Sequence, residues 1–368
     1  MLEGIIEDIR VYPVEIPLAR KFSTSMATQK TGSFVIVEVC SGELSGFGEV
    51  DPRPHITGET IDSAVAVLNK YLVPVVIGKS IFDLGSIHQA MQVVELNPSA
   101  KAAIDIGVFD LMGKIMNKPV RDLLGGLKNK PVILNAWAGI EDDLDKVLET
   151  ILKKVERGFK RAAKVKAGLD YRRESQLLKR LVDALPGGMD IIVDANQAWS
   201  FRSAKRQLAE MAEMGVTIAE QPLRSDDLLG MQKLADSVPL ALMADESVWT
   251  ARDAFNLARM GAVSMFNLKL IKCGGLYQAM KFLGVAESAG ISCMVGSTVQ
   301  TSISAAAQAH LAASSNVIDL ADIVIPDEFL VTDIAEGFKV EGGAVVFSDK
   351  PGLGLEVDKG LIKRFLVH

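Results

Sequence analysis

Five apolar runs of this chain end in a charged residue, and they do so at a steady interval. Lys164 and Lys166 close Arg161–Lys166, Asp194 closes Ile191–Asp194, Glu220 closes Val216–Glu220, Asp245 closes Leu240–Asp245 and Lys269 closes Met265–Lys269. From Lys166 onward the steps are 28, 26, 25 and 24 residues. That is the length of one strand plus one crossover helix with its loops. A strand puts residues i and i+2 on one face, so Lys164 and Lys166 point the same way. The charges therefore recur at one point of successive strand–helix units. In a parallel barrel that point is the C-terminal rim, where chemistry sits.

The segments on either side complete this picture. From Pro131 strands and helices alternate. Strands are expected at Val132–Trp137, Ala162–Lys166, Asp190–Asp194, Thr217–Glu220, Leu240–Asp245, Ser264–Lys269, Ile291–Val295 and Val317–Leu320. Seven helices fill the gaps, from Asp142–Arg157 to Thr301–Ala313, and an eighth is weak or absent. This is an α/β chain with a TIM-like (β/α)7β barrel over residues 131–325. Before it, Gly4–Ile16, Ser33–Cys40 and Gly46–Val50 read as an antiparallel meander, followed by helices at Thr60–Leu72, Ile81–Leu96 and Ser99–Met116, with Ser99 as the helix cap. Strands followed by helices mark an α+β unit, placed at 1–130. The polar stretch Lys21–Gly32 reads as a loop of about a dozen residues, long enough to act as a lid. From Pro326 the chain turns polar and Gly-rich, and residues 326–368 are expected to pack back on the first unit and complete it.

Composition excludes some partners. Of 368 residues, 49% are hydrophobic and 23% charged, and the net charge is −6 with no basic block. Nucleic acid and anionic membrane surfaces are therefore not expected. No run approaches the roughly 18 apolar residues of a membrane span. The three cysteines, Cys40, Cys273 and Cys293, are odd in number and lack metal-ligand spacing, which suggests a reducing, cytoplasmic setting.

Three acids at adjacent strand ends would converge and repel strongly unless a cation sits between them. Oxygen-only ligation by Asp194, Glu220 and Asp245 suits Mg2+ first and Mn2+ second. A single acid in such a place can instead cap the next helix, but three in register beside lysines favour a metal. Lys166 and Lys269 come from the second and sixth of eight strands and would face each other across it. A lysine at the end of an apolar strand is costly unless paired or functional. Lys164 could pair with an acid or hold a substrate carboxylate. A metal between opposed lysines has a natural use in removing the weakly acidic proton next to a carboxylate, through an enediolate. Enolase-superfamily sites combine a Lys or His base with Mg2+ in this way. The four histidines (His55, His88, His310 and His368) supply no base at a late strand end, and His310 lies in an apolar helical pattern as a structural residue.

Lys164-Val-Lys166, Asp194-Ala-Asn196, Ala219-Glu220-Gln-Pro222, Ala244-Asp245-Glu-Ser247 and Asn267-Leu-Lys269 resemble the enolase superfamily, in its mandelate racemase/muconate lactonizing enzyme family. The resemblance is closest to the dipeptide epimerases, through Ile56-Thr-Gly58-Glu59, Cys293-Met-Val-Gly296 and Pro351-Gly-Leu-Gly354. It implies Asp194, Glu220 and Asp245 as metal ligands, Lys166 and Lys269 as the acid/base pair, and Lys164 beside the substrate carboxylate. It implies an epimerase or racemase of a dipeptide or amino-acid derivative, with a muconate-type cycloisomerase or acid dehydratase as the alternative, and a homo-oligomeric assembly.

The chain departs from that pattern at its eighth strand. Dipeptide epimerases carry Asp-x-Asp there to bind a free amino group. This chain has Asp319-Leu320-Ala321-Asp322, with Asp319 and Asp322 as the candidate substrate carboxylates. Ser25 in the lid and Thr298 are further candidate substrate contacts. Ala27 stands where alanine–glutamate epimerases place an Arg, which speaks against a glutamyl side chain.

Overall fold

The structure, a computed structural model, describes residues 4–23, 28–126, 130–141 and 143–367. The first alternating runs form an antiparallel sheet of β1 (Asp8–Ser23), β2 (Thr28–Ser41) and β3 (Leu44–Val50), in that order. The expected loop at Lys21–Gly32 is mostly strand. After a register shift between Pro17 and Phe22, the β1–β2 ladder resumes at Phe22 opposite Gln29 and Ser23 opposite Thr28. Ladder bonds are made by the backbone, so a polar sequence can carry them as well as an apolar one. Ser25 lies outside the described residues.

Helix α1 (Pro98–Met116) is buried along most of its length and lies against β3. Glycines permit the close approach, because a Cβ on Gly48 would lie 1.8 Å from the Ala103 carbonyl oxygen. The cap position of α1 falls to Asn97 rather than Ser99. The work of capping is done from a distance: Glu59 accepts the Ser99 and Ala100 N–H groups at 3.1 and 2.9 Å. Ser99 is thereby released, and its hydroxyl bonds the backbone of Asp51.

Among the described residues, eight parallel strands follow in sequence order: β4 (Ala136–Trp137), β5 (Ala162–Lys166), β6 (Asp190–Asp194), β7 (Ile218–Glu220), β8 (Ala241–Ala244), β9 (Met265–Leu268), β10 (Ser292–Gly296) and β11 (Ile318–Asp322). A parallel bridge between Leu134 and Ala321 brings the first and last together. Six of the helices between them start where a side chain accepts a first-turn N–H, at Asp143, Asp170, Ser200, Asp227, Thr250 and Thr301, while the helix Leu276–Ala289 starts at Gly275 without one. The seventh, α2 (Ser302–Ser314), is buried throughout. Directly after β11, where an eighth barrel helix would stand, the chain makes a short 3-10 turn, Pro326–Glu328, so the barrel is (β/α)7β, as expected from the sequence. The tail then returns to the first sheet: Ala19 N–H bonds Phe329 O at 2.7 Å, and Glu15 N–H bonds Phe365 O at 3.0 Å. No described helix is long and apolar enough to cross a membrane.

His310 on α2 stitches three parts of the chain together. Its Nδ1 accepts the Arg121 N–H and its Nε2–H donates to Leu353 O, both at 3.2 Å. That arrangement needs a neutral ring, and burial pushes its pKa down from 6.5 to about 4. The unfolded chain would take up a proton below pH 6.5 where the folded ring does not. The stability from this group is therefore present above about pH 6.5 and lost as pH falls toward about 4, by on the order of 3 kcal/mol. Urea unfolding of wild type and His310→Gln at pH 7 and pH 4.5 should show a flatter pH response in the variant; equal responses would contradict this account.

Candidate active site

The inside of the barrel is layered two residues at a time, as strand geometry requires. Ala162, Ile192, Ile218, Met243, Met265, Met294 and Leu320 form one apolar cluster, one residue from each of β5 to β11. Two residues further along each strand stand Lys164, Asp194, Glu220, Asp245, Asn267, Gly296 and Asp322. Two further again come Lys166, Asn196 and Lys269. The apolar floor thus carries a ring of charge at its C-terminal end. Above it opens a cleft of about 410 Å³ that is lined by Lys164, Lys166, Asp194, Asp245, Lys269 and Asp322, with Arg53, His55, Ile56, Trp137, Trp249 and Val324 around the mouth.

Ion pairs knit the ring together. Lys164 Nζ lies 2.7 Å from Glu220 Oε2, 2.9 Å from Asp322 Oδ2 and 3.4 Å from Asp194 Oδ2. Lys166 bonds Asp194 Oδ2 and Asn196 Oδ1, both at 2.7 Å. Lys269 bonds Asp245 Oδ2 at 2.6 Å. In an eight-strand ring, β5 and β9 are four strands apart, so Lys166 and Lys269 enter the cleft from opposite sides. Burial opposes the charge on Lys164, but Asp322, Glu220 and Asp194 outweigh it and raise its pKa well above the ordinary value. Lys269 is likewise raised, by Asp245 and Glu220 against burial. Asp245 is held well below the usual range by Lys269 and Lys272 despite its burial. Glu220 is pushed up by burial and by Asp194.

Several polar residues that sequence reasoning passed over fix these groups. Asn267 Nδ2 donates to Glu220 Oε1 at 2.7 Å, and Gly296 leaves room for it, since a Cβ there would lie 2.1 Å from Asn267 Oδ1. Gln221 accepts the Asp245 and Ser247 N–H groups at 3.0 Å each and pins the end of β8. Lys272 spends its ammonium on Asp245 O, Asp245 Oδ1 and Asn267 O, at 2.6, 2.6 and 3.3 Å. Asn196 bridges Lys166 to the half-buried Glu246. Their signal was available: each lies within three residues of a predicted site residue, in a strand end or in the turn beyond it.

The eighth strand corrects one expectation. The β10–β11 register shifts between Cys293 opposite Ile318 and Met294 opposite Leu320, so Asp319 is an extra residue. Of the two expected substrate carboxylates, Asp322 lines the cleft and Asp319 is exposed away from it. Thr298 also lines the cleft, but its hydroxyl donates to Asp51 Oδ2.

The donor set suits a hard divalent cation. Five carboxylates (Asp194, Glu220, Asp245, Glu246 and Asp322) stand against four ammonium groups (Lys164, Lys166, Lys269 and Lys272), leaving one net negative charge. Buried Glu220 Oε2 faces the Lys164 ammonium at 2.7 Å, and Lys269 also acts on this carboxylate. Among the described residues no three acids converge on one point as they stand, because the lysine ammonium groups lie between them.

Two family models match the chain: the mandelate racemase/muconate lactonizing enzyme N-terminal domain over residues 6–125, and the enolase C-terminal domain-like model over residues 146–361. The chain belongs to the mandelate racemase/muconate lactonizing enzyme family of the enolase superfamily. Among this family's members, a hydrophobic dipeptide epimerase of Enterococcus faecalis is 33% identical, over 95% of this chain and 99% of its own. A dipeptide epimerase structure from that organism, complexed with Mg and the dipeptide L-Leu-L-Tyr, superimposes with a TM-score of 0.90 over 95% of this chain and 99% of the other. An N-succinyl-L-Arg/Lys racemase of Bacillus cereus is 30% identical over 98% of each chain, and the crystal structure of the N-succinyl Arg/Lys racemase from that organism superimposes with a TM-score of 0.93, covering 99% of this chain and 98% of the other. Muconate cycloisomerase 1 of Rhodococcus opacus is 31% identical over 99% of each chain.

Proposed function

We propose that this member of the family is an isomerase that moves the proton next to a carboxylate, epimerising or racemising a dipeptide or amino-acid derivative. The observation that carries the reading is the entry of Lys166 and Lys269 into one cleft from opposite sides of the barrel, above a ring of acids. Asp194, Glu220 and Asp245 would hold Mg2+, or Mn2+ in its place, and the cation supplies positive charge where the enediolate develops. Lys164 faces the same point and neutralises the substrate carboxylate. One lysine takes the α-proton from its own face, and the other returns a proton on the opposite face.

Asp322 favours an amine or amide substrate over a muconate. Its Oδ1 is buried and accepts no hydrogen bond, so it suits an N–H donor and would repel a second carboxylate. The mouth is largely apolar at Ile56, Trp137 and Val324, and Arg53 is neutralised by Asp51, which points to an uncharged side chain. Trp137 is fixed for this role by Phe329 stacked at 5.7 Å and by Lys154 Nζ over its ring at 4.6 Å.

The test is a panel of hydrophobic dipeptides, N-acyl amino acids and cis,cis-muconate, followed by NMR in D2O. Epimerisation of hydrophobic dipeptides is expected. Asp322→Asn should raise KM for them by about ten- to a hundredfold, the worth of one charge-assisted hydrogen bond. Turnover of muconate alone would overturn the reading.

A further inference from the structure

The mouth of the cleft is built from two segments far apart in sequence. One is the turn after β3, with His55 and Ile56; the other is the loop after β10, with Ser297 and Thr298. Two buried opposite charges join them. Asp51 and Arg53 are 1% and 3% exposed, and their side chains pair at 2.6 Å. Both also reach across to the barrel: Asp51 Oδ2 accepts the Thr298 hydroxyl, and Arg53 Nη2 donates to Val299 O at 2.6 Å.

Each is anchored on its own side as well. The Asp51 N–H bonds Ser99 Oγ at 3.0 Å. The Arg53 carbonyl accepts the Ile56 and Thr57 N–H groups at 2.9 and 2.8 Å, which forms the turn that carries His55 and Ile56. On the barrel side the contacts continue inward. Ser297 Oγ donates to Asp322 O at 2.6 Å and accepts the Val324 N–H at 2.8 Å. A continuous set of bonds therefore runs from the His55–Ile56 turn to the backbone of Asp322. Apolar residues would fill such a seam at least as well in energetic terms. What the charges add is direction, because a guanidinium and a carboxylate select one register.

We propose that Asp51 and Arg53 form a specificity-positioning pair, fixing the spacing between the His55–Ile56 turn and Asp322 in which the substrate's distal portion sits. The inference rests on the reading of the cleft as a carboxylate-substrate site. The pair acts on how far and how well the distal portion is held, and leaves proton transfer at the α-carbon to the lysines.

Arg53→Lys and Asp51→Asn test it, each measured for α-proton exchange with a hydrophobic dipeptide and with an N-formyl amino acid, the shortest of the N-acyl amino acids, which lacks the distal portion. Each variant should raise KM for the dipeptide about tenfold, with kcat within about threefold and KM for the N-formyl compound little changed. The double variant should be no worse than the worse single one, because both break the same link. A parallel fall in kcat on both substrates, or an unchanged KM ratio, would overturn the proposal. Hydrogen exchange gives a reading that does not depend on the chemistry. Arg53→Lys should speed exchange at Ile56, Thr57 and Val324 together, while the ends of β5 to β8 stay protected. If Val324 is unaffected, the coupling does not exist, whatever the substrate. If wild type exchanges neither compound, the functional reading fails, and hydrogen exchange still decides the coupling.

Discussion

In D2O, Lys166→Ala is expected to stop interconversion of the two stereoisomers, by at least about a thousandfold, while still exchanging the α-proton of one of them. Lys269→Ala should do the same for the other. A positioned general acid or base contributes about 10²–10⁴-fold, and both are needed for one full inversion. Each lysine is held on its own side. Lys166 is fixed by Asp194 and Asn196, and Lys269 by Asp245, so the survivor stays in place when its opposite is cut back. The one-sided exchange also serves as a control, since it shows that binding and charge stabilisation remain. Lys272 offers no third base, because its three N–H bonds are all spent on Asp245 and Asn267. Lys164→Ala should differ from both, losing exchange on both faces through lost carboxylate binding. Deuterium entering both stereoisomers in both single variants would end the two-base reading.

How much of this was legible in the sequence follows from the period of two. Wherever a strand runs without a bulge, the residue two beyond an apolar floor position enters the ring. Lys164, Asp194, Glu220 and Asp245 could be picked out by that rule alone. At β11 the rule also holds, from Leu320 to Asp322, but the extra residue before Leu320 leaves Asp319 on the outer face. A one-residue slip reverses every face in a strand, and nothing local in Asp319–Asp322 announces it. The cap of α1 was misassigned for a related reason. Glu59 supplies it from 40 residues away, which no reading of the local sequence at Ser99 could show. The polarity of Lys21–Gly32 predicts a loop, whereas the ladder there depends on the backbone. Asn267, Gln221 and Lys272 stand beside predicted site residues, but they act on those residues rather than on a ligand, and what each one holds is read from distances.

Exhaustive chelation is expected to abolish exchange, and Mg2+ to restore it, with Mn2+ as the other effective ion. The charge count gives the reason. The ring carries one net negative charge as it stands, and a substrate carboxylate brings a second into a buried cleft. Removing the α-proton then puts a second negative charge on the substrate itself, and the lysine that takes the proton must start as a neutral amine. The other ammonium groups, already committed to carboxylates, cannot offset that, and like charges so placed repel strongly where water is scarce. A divalent ion on Asp194, Glu220 and Asp245 would add two positive charges where the substrate carboxylate binds and the enediolate charge develops. Glu220→Gln and Asp245→Asn should each reproduce the effect of chelation. Binding can also be read without activity: Mg2+ at a hundred times its dissociation constant should stabilise the fold by about 2.7 kcal/mol, visible as a rise in Tm. Asp245→Asn should lose that rise. Full activity after chelation, together with a Tm indifferent to Mg2+, would remove the metal from the mechanism and leave Lys164 as the only charge opposite the substrate carboxylate.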